Sequence, residues 1–235
     1  LFKRVRAFPD RSKKFLIDQV KKELPDFDVD KHFTPSYNPW EQRMCLIPNS
    51  DFFNAIKDKS ATVVTDHIEA FEENGIKLKS GDFLEADIIV TATGLVLQNF
   101  GGVNISVNNN PVNVSETMTY KSLMYSDIPN FVNSFGYINA SWTLKADLTS
   151  TYLCRLIKHM DQNNYLSACP KKPLDVDETY DWLKDFSSGY IQRSIGLHPQ
   201  QGSKKPWVNY QDYIKDWFDV KFSKLEDGNL VFSKD

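Results

Sequence analysis

The sequence predicts an α/β fold, and three patterns support that prediction. Two apolar, β-branched runs, residues 86–94 and 131–136, each end on a glycine, which is typical of strands in a buried sheet. An amphipathic pattern over residues 143–161 follows the second run and predicts a long helix. Turn signals between residues 67 and 94 predict a β-meander of short antiparallel strands.

The amino-terminal part of the chain predicts helices around an irregular stretch. Ser12 is placed to cap a helix that runs through Leu24, where Pro25 stops it. Asn49 or Ser50 is placed to cap a second, short helix. We expect residues 26–48 between these helices to be irregular, and residues 61–65 to form a brief strand.

The middle of the chain predicts hairpins. Asn74-Gly75 is the strongest signal, because both residue types tolerate the positive φ of a two-residue hairpin turn. A second turn is predicted at Asn108, Asn109 and Asn110, between two further short strands. The strands of the meander are predicted at residues 67–71, 76–79 and 83–93.

The end of the chain predicts a mixed tail that packs on the core. Helices are expected at 178–186 and 209–219, and Asp227-Gly228 predicts a closing hairpin. The 209–219 segment carries an aromatic and aliphatic stripe, which indicates packing more than a cofactor-binding surface. On the 143–161 helix, the face predicted to be buried comprises Leu144, Leu148, Leu153, Leu156, Ile157 and Met160.

Composition narrows the classes of function. The 235 residues carry a net charge of −3, which argues against a nucleic-acid-binding surface. No apolar run approaches the roughly 20 residues of a membrane span. The three cysteines are widely spaced and odd in number, which indicates reduced thiols in a cytoplasmic protein. No two histidines stand four residues apart, and we predict no metal site.

Nucleotide-binding glycine loops are missing from the printed sequence. The chain begins on Leu1, and its ten glycines form neither G-x-G-x-x-G nor a Walker loop. We therefore expect the chain to be part of a larger protein. No nucleophile elbow and no paired carboxylates indicate a hydrolase.

The strongest candidate site is the segment from Gly136 to Lys145. A strand that ends at a glycine and leads into a helix presents free N–H groups to carbonyl or anionic oxygens, and Lys145 would add positive charge. Such a site suits a phosphate or the carbonyl oxygens of a flavin. The alternative is an ordinary helix start, with Ser141 as its cap, Trp142 packed on the core and Lys145 in solvent.

Arg43 is the second candidate. It lies between Pro39-Trp40 and an apolar run, an environment that would cover its stem and direct its guanidinium toward an anion. Gln42 beside it would donate to the same ligand. The alternative is a surface arginine that pairs with Glu41 or Asp51.

Several segments together resemble one family. Asp87 to Gly94, with the A-T-G of Ala92, Thr93 and Gly94, is similar to a motif of class B flavoprotein monooxygenases. These are the flavin-containing and Baeyer–Villiger enzymes, and the likeness is greatest to their bacterial, ethionamide-activating branch. Residues 33–43, 64–69 and 135–147 carry the same resemblance in the same order.

The resemblance implies FAD and NADPH bound in two Rossmann-like domains. Residues 1–94 would be the carboxyl-terminal part of the NADPH-binding domain with the β-meander, 95–170 that of the FAD-binding domain, and 171–235 a helical tail. Both dinucleotide fingerprints of the family would precede Leu1.

The resemblance also implies roles for individual residues. Arg43 matches the family's active-site arginine, which steadies the reduced, oxygen-bearing flavin and the nicotinamide. Ala92, Thr93 and Gly94 would line the linker between the domains. Gly136 would end the last strand of the FAD domain. The residues expected near the flavin are Asn139, Trp142, Thr143, Lys145 and Ala146.

Two functions follow as hypotheses. The first is a fragment of a monooxygenase that inserts one oxygen atom from O₂ into a ketone, a thioether or an amine. The second is a non-catalytic packing or interaction module that binds no cofactor in this form, which the missing glycine loops favour. Because the sheets that the two partial domains would complete are absent, the strands at 83–93 and 131–135 would have exposed edges, which favour self-association.

Overall fold

A computed structural model describes residues 2–172, 179–180, 183 and 186–234. The chain divides into two compact units, Leu1–Gly94 and Leu95–Asp235. The predicted 95–170 and 171–235 portions both lie in the second unit. Helices and small sheets mix in both units, which confirms the α/β class at this coarse level. Within the described ranges, no helix combines the length and apolar character that a bilayer span requires.

The first unit begins with helices. Its longest helix is predicted at 12–24 and found at Pro9–Glu23, where Leu24 ends it before Pro25. The short helix predicted after Ser50 is found at Asp51–Lys57. Leu24, Val29 and Ile56 form the buried centre of this unit. The helical segments of this unit are Phe2–Ala7, Pro9–Glu23, Val29–His32, the 3₁₀ turn Pro48–Ser50 and Asp51–Lys57.

A three-stranded antiparallel sheet follows in the first unit, made of Ile68–Glu72, Gly75–Leu78 and Phe83–Glu85. Glu72 pairs with Gly75, so the tight turn is Glu73-Asn74, one residue earlier than predicted. A Cβ at Gly75 would stand 2.0 Å from the carbonyl oxygen of Leu84 on the neighbouring strand. Glycine is therefore needed here for the close approach of two strands.

Two predicted strands are wrong, and a third is shorter than predicted. Residues 61–65 and 131–136 form no ladder, and the strand predicted over 83–93 is found only at Phe83–Glu85. A β-branched run forms a strand only where a neighbouring strand completes its hydrogen bonds, and no described strand lies beside these segments. Ile88 and Val90 are accordingly 82% and 83% exposed. Gly94 does adopt the positive φ that glycine allows, at 103°.

The second unit is built on the helix Trp142–Asn163, two residues longer at its carboxyl end and one at its amino end than the predicted 143–161. It packs against the helix Tyr213–Phe222, which starts four residues after the predicted 209. The main core of the unit gathers around Leu148, Tyr152 and Leu156 of the long helix. Only part of the predicted face is buried, since Leu144, Leu153 and Ile157 are exposed.

Short antiparallel strand pairs surround these helices. Ser106–Val107 and Asn110–Pro111 flank the predicted asparagine turn, where Asn108 and Asn109 both have positive φ. Leu230–Ser233 pairs with Ser167–Pro170, so the hairpin predicted to close at Asp227-Gly228 is wrong. The other strand pairs are Thr119–Tyr120 with Met124–Tyr125, and Thr179–Tyr180 with Gln201–Gly202.

Short helical segments complete the second unit: Gly189–Gln192 and the 3₁₀ turns Asn99–Gly102, Val114–Glu116 and Ile195–Leu197. The helix predicted at 178–186 lies largely outside the described residues, and its described residues Thr179–Tyr180 form a strand instead. In the part of the chain described here, every strand pair is antiparallel and no sheet exceeds three strands.

Candidate functional site

The segment from Gly136 to Lys145, here called the helix-start turn, brings a glycine and a tryptophan into close contact. Gly136 is buried, and a Cβ built on it would stand 2.1 Å from Cγ of Trp142. The Trp142 ring therefore occupies the space that any side chain at position 136 would need. Trp142 also packs against Phe135, with ring centroids 5.0 Å apart, while 49% of its surface stays exposed.

The start of the Trp142–Asn163 helix has no side-chain cap. Ser141 occupies the cap position, but its hydroxyl bonds the Thr143 hydroxyl at 2.7 Å and not a backbone N–H. The alternative of a helix capped by Ser141 is therefore wrong. Without a cap, the first N–H groups of the helix remain available to an oxygen of a ligand.

Lys145 is buried, with 2% of its surface exposed, so the alternative that it lies in solvent is also wrong. Its Nζ donates to Oδ2 of Asp216 at 2.8 Å. Burial lowers the pKa of the Lys145 ammonium, against the opposing effect of the Asp216 carboxylate. Asp216 thus compensates the positive charge of Lys145, which the sequence analysis assigned to a ligand-binding role.

A third side chain completes this buried cluster. Tyr137 donates its hydroxyl to the same Oδ2 of Asp216 at 2.7 Å, and the Lys145 Nζ lies 5.5 Å from the centroid of the Tyr137 ring. Burial, and the hydrogen bond to Asp216, raise the pKa of the Tyr137 phenol. Tyr137 therefore stays protonated and keeps donating to the carboxylate.

The remaining candidates of the helix-start turn lie close by. Asn139 donates its side-chain amide to the carbonyl oxygen of Gln211 at 2.9 Å. Thr143 is exposed beside Ser141, and Ala146 is exposed one turn into the helix. The structure therefore brings Gly136, Asn139, Trp142, Thr143, Lys145 and Ala146 together in the second unit.

Arg43 lies in the first unit beside a cleft of about 390 Å³. The side chain is exposed, and no carboxylate among the described residues pairs with it. Glu41 instead accepts the backbone and side-chain N–H groups of Asn38, which lower the pKa of the Glu41 carboxyl. The ion pairs considered for Arg43 with Glu41 and Asp51 are therefore not formed.

The cleft beside Arg43 mixes hydrogen-bond donors with apolar surface. Trp40 lines the cleft, and its indole N–H is buried without a hydrogen-bond partner among the described residues. Its backbone has a φ of 69°, an uncommon value for a bulky residue. Gln42 is half-buried at the same edge. The lining residues include Lys13, Leu16, Ile17, Tyr37, Trp40, Gln42, Arg43 and Met44.

Ala92, Thr93 and Gly94 are exposed and lie where the first unit ends in the chain. They make no regular backbone ladder. Across the described ranges, no group of three or more His, Cys, Asp or Glu side chains is arranged to hold a metal ion.

Comparison with known proteins then identifies relatives of the whole chain. It is 46% identical over 230 residues to the FAD-containing monooxygenase EthA of Mycolicibacterium smegmatis, covering 97% of this chain and 46% of that protein. It is 43% identical over 229 residues to the probable FAD-binding monooxygenase AlmA of Acinetobacter sp., covering 97% of this chain and 46% of the relative. The chain is a homologue of FAD-containing monooxygenases.

A third relative extends the same relationship. The putative FAD-containing monooxygenase MymA of Mycobacterium tuberculosis is 40% identical over 233 residues, which cover 99% of this chain and 47% of that protein. The chain thus spans about half the length of the curated relatives it matches, and this span fits the carboxyl-terminal portion expected from the sequence. No family model matches it.

The helix-start turn is compatible with one end of an FAD molecule, the flavin ring. The uncapped N–H groups of the Trp142–Asn163 helix suit the carbonyl oxygens of a flavin ring. The printed sequence contains no G-x-G-x-x-G, so it supplies no glycine-rich loop of that type to bind the pyrophosphate.

Sequence reasoning missed Asp216 and Gln211, which hold the helix-start turn from more than 70 residues away. No local signal distinguishes Asp216 from Asp212 and Asp219, the other acidic residues of the same predicted helix.

Proposed function

We propose that this chain is the carboxyl-terminal part of a monooxygenase that uses FAD, NADPH and O₂. The observation that carries the proposal is 40–46% identity to FAD-containing monooxygenases over nearly the whole chain. The uncapped helix start beside Gly136 and Trp142 supports it independently. The substrate would be a ketone, in a Baeyer–Villiger reaction, or a sulfur or nitrogen centre.

The proposed architecture follows the same relationship. Residues 1–94 would complete a Rossmann-like NADPH-binding domain and contain the β-meander, residues 95–170 would complete a Rossmann-like FAD-binding domain, and 171–235 would pack on the core. Ala92, Thr93 and Gly94 would line the linker between the domains. We also propose a cytoplasmic location.

Each group of residues would have a defined task. FAD, when bound, supplies the chemistry: it takes electrons from NADPH and activates O₂. The free N–H groups at Trp142 and Thr143 would hold carbonyl oxygens of the ring, with Gly136, Asn139 and Ala146 shaping the space around it. The Arg43 guanidinium would bind an anionic or phosphate group with several donors, and Gln42 would add one more.

The test of this function is Arg43→Ala in the full-length protein. Because the variant loses a cation without disturbing an ion pair, FAD should stay bound while oxygenated product falls at least a hundredfold, the scale of removing one electrostatic stabiliser. Arg11→Ala is the matched control, since Arg11 is exposed in the same unit and outside the cleft. Coupling of NADPH oxidation to product at the wild-type level in Arg43→Ala would contradict the role.

The alternative, a module that binds no cofactor in this form, is favoured by the missing glycine loops. The visible absorption spectrum of the full-length protein, compared with that of the purified 235-residue chain, separates the two hypotheses. We expect this chain alone to be colourless and inactive, and the full-length protein to be yellow. A colourless full-length protein after reconstitution with FAD would favour the module.

Self-association is a further part of the proposal. The backbone N–H and C=O groups around the exposed residues Ile88 and Val90 would pair with those of a second copy. A clean monomer by size-exclusion chromatography would count against this.

A further inference from the structure

One carboxylate oxygen holds both ends of the helix-start turn. Oδ2 of Asp216 accepts the Tyr137 hydroxyl at 2.7 Å and the Lys145 ammonium at 2.8 Å. The three residues are 1%, 5% and 2% exposed for Tyr137, Asp216 and Lys145, so solvent does not share these bonds. A single residue of the Tyr213–Phe222 helix therefore fixes the residues that bracket the turn.

The middle of the turn is held from the same part of the chain. Gln211 accepts the Ile138 backbone N–H at its Oε1, at 2.9 Å, and its carbonyl oxygen accepts the Asn139 side-chain amide at 2.9 Å. Gln211 adopts a φ of 48°, and Asn209 accepts both its backbone and side-chain N–H groups at 3.2 Å. Residues 209–216 thus form a clamp on residues 137–145.

The clamp keeps Lys145 from contacting a ligand directly, because its ammonium is buried and already bonded to a carboxylate. What the cluster determines instead is geometry. The backbone between Tyr137 and Lys145 carries the free N–H groups of the helix start, and groups that bind an oxygen act best when their positions are set beforehand.

We propose that Asp216 is a positioning residue, which sets the helix-start turn for the cofactor through Tyr137 and Lys145 at once. This inference rests on the proposed function, since it assigns the turn to the flavin. Asp216 touches no cofactor itself. Gln211 supports it by holding the residues between the two anchors.

Amide hydrogen exchange of this chain tests the clamp without any cofactor. Asp216→Asn removes the charge that pairs with Lys145. We expect exchange of the Ile138 amide, which is bonded to Gln211, and of the helix amides at residues 146–149 to accelerate at least tenfold. Asp219→Asn is the matched control, because Asp219 lies on the same helix and pairs with the exposed Lys205. Unchanged exchange in Asp216→Asn would overturn the clamp.

A milder variant covers the case in which Asp216→Asn does not fold. Tyr137→Phe removes only the hydroxyl that donates to Asp216 and keeps the ring in the core. Faster exchange at the helix-start turn in Tyr137→Phe supports the clamp. Wild-type exchange in that variant contradicts it.

The second measurement is FAD binding by the full-length protein. We expect Asp216→Asn to raise the FAD dissociation constant about tenfold and to shift the flavin absorption spectrum, whereas Asp219→Asn changes neither. Asp216→Glu should restore part of the affinity, because it restores the charge. A stable Asp216→Asn protein with wild-type FAD affinity and spectrum would overturn the positioning role. If the wild-type protein binds no FAD, the proposed function fails, and the exchange result then still decides the clamp.

Discussion

At the scale of single residues, Gly136 shows how one missing atom shapes the candidate site. Because a Cβ there would stand 2.1 Å from Cγ of Trp142, the two residues share a space that fits only one side chain. We expect Gly136→Ala to lower the free energy of unfolding by about 1–3 kcal/mol, the usual effect of overpacking. Urea denaturation followed by circular dichroism measures this.

The control for Gly136 is Gly196→Ala, because a Cβ at Gly196 meets nothing within 4 Å. A double variant, Gly136→Ala with Trp142→Ala, should recover part of the loss, since the clash partner is gone. If the two substitutions are simply additive, the contact between them is not the cause.

Asp227 makes the stability of the fold depend on pH. Burial alone would raise the pKa of its carboxyl, but hydrogen bonds from Tyr120, from the Asn229 backbone and from Lys121 outweigh it and hold that pKa below the usual 3.8. A lowered pKa in the folded state stabilises the fold above about pH 4 and loses that contribution as the pH falls through the folded-state value.

Asp227→Asn should therefore flatten the acid limb of stability against pH, measured as the urea midpoint between pH 2 and pH 6 (about the span of an Asp titration). Asp147→Asn is the control, because Asp147 is exposed in the same unit and its carboxylate makes no hydrogen bond or ion pair among the described residues. An acid limb that is equally steep in Asp227→Asn and the wild type would rule Asp227 out as its source.

At the scale of elements, residues 86–93 show that β-propensity alone does not predict a strand. The run Asp87-Ile88-Ile89-Val90-Thr91 favours a strand locally, yet no described strand pairs with its backbone. A strand is a property of a pair, whereas propensity describes one segment. The same reason explains why residues 131–136 stay irregular: Asn133 makes a single backbone bond to Leu123, and no ladder follows.

The Trp142–Asn163 helix was predicted correctly as an element, and its buried stripe only in part. Leu148 and Leu156 are buried as expected, but Lys145, Thr149 and Tyr152 complete the stripe in place of Leu153 and Ile157. Apolar periodicity considers only apolar side chains. It therefore does not reveal a buried lysine whose counter-ion comes from another helix.

This difference along one helix is testable with one substitution at two positions. Leu148→Ala removes a side chain that is 0% exposed and should cost about 2–5 kcal/mol of unfolding free energy. Leu153→Ala removes one that is 37% exposed and should cost less than about 1 kcal/mol. Equal effects at the two positions would contradict the observed orientation of the helix.

At the scale of the whole molecule, the two units differ in how much core they contain. Among the described residues, the main cluster of the second unit has 12 buried residues, whereas that of the first unit has three. Burial of apolar surface is the main source of folding free energy, so the units should differ in stability.

We expect residues 95–235 expressed alone to unfold in one cooperative transition, because they contain a core of their own. Residues 1–94 expressed alone should unfold with a weak, broad transition. Thermal unfolding by circular dichroism measures both. A sharp transition for 1–94 and none for 95–235 would contradict the assignment of the core.

The sequence by itself determined the three longest of the described helices, the turn at Asn108-Asn109 and the relationship to FAD-containing monooxygenases. Apolar periodicity, turn residues and sequence identity are all carried by the order of residues along the chain. Only the tertiary structure decided that Lys145 is buried against Asp216 and that Trp142 covers Gly136. Those facts depend on which distant residue supplies a counter-ion or leaves a space, and local patterns do not encode a partner 71 residues away.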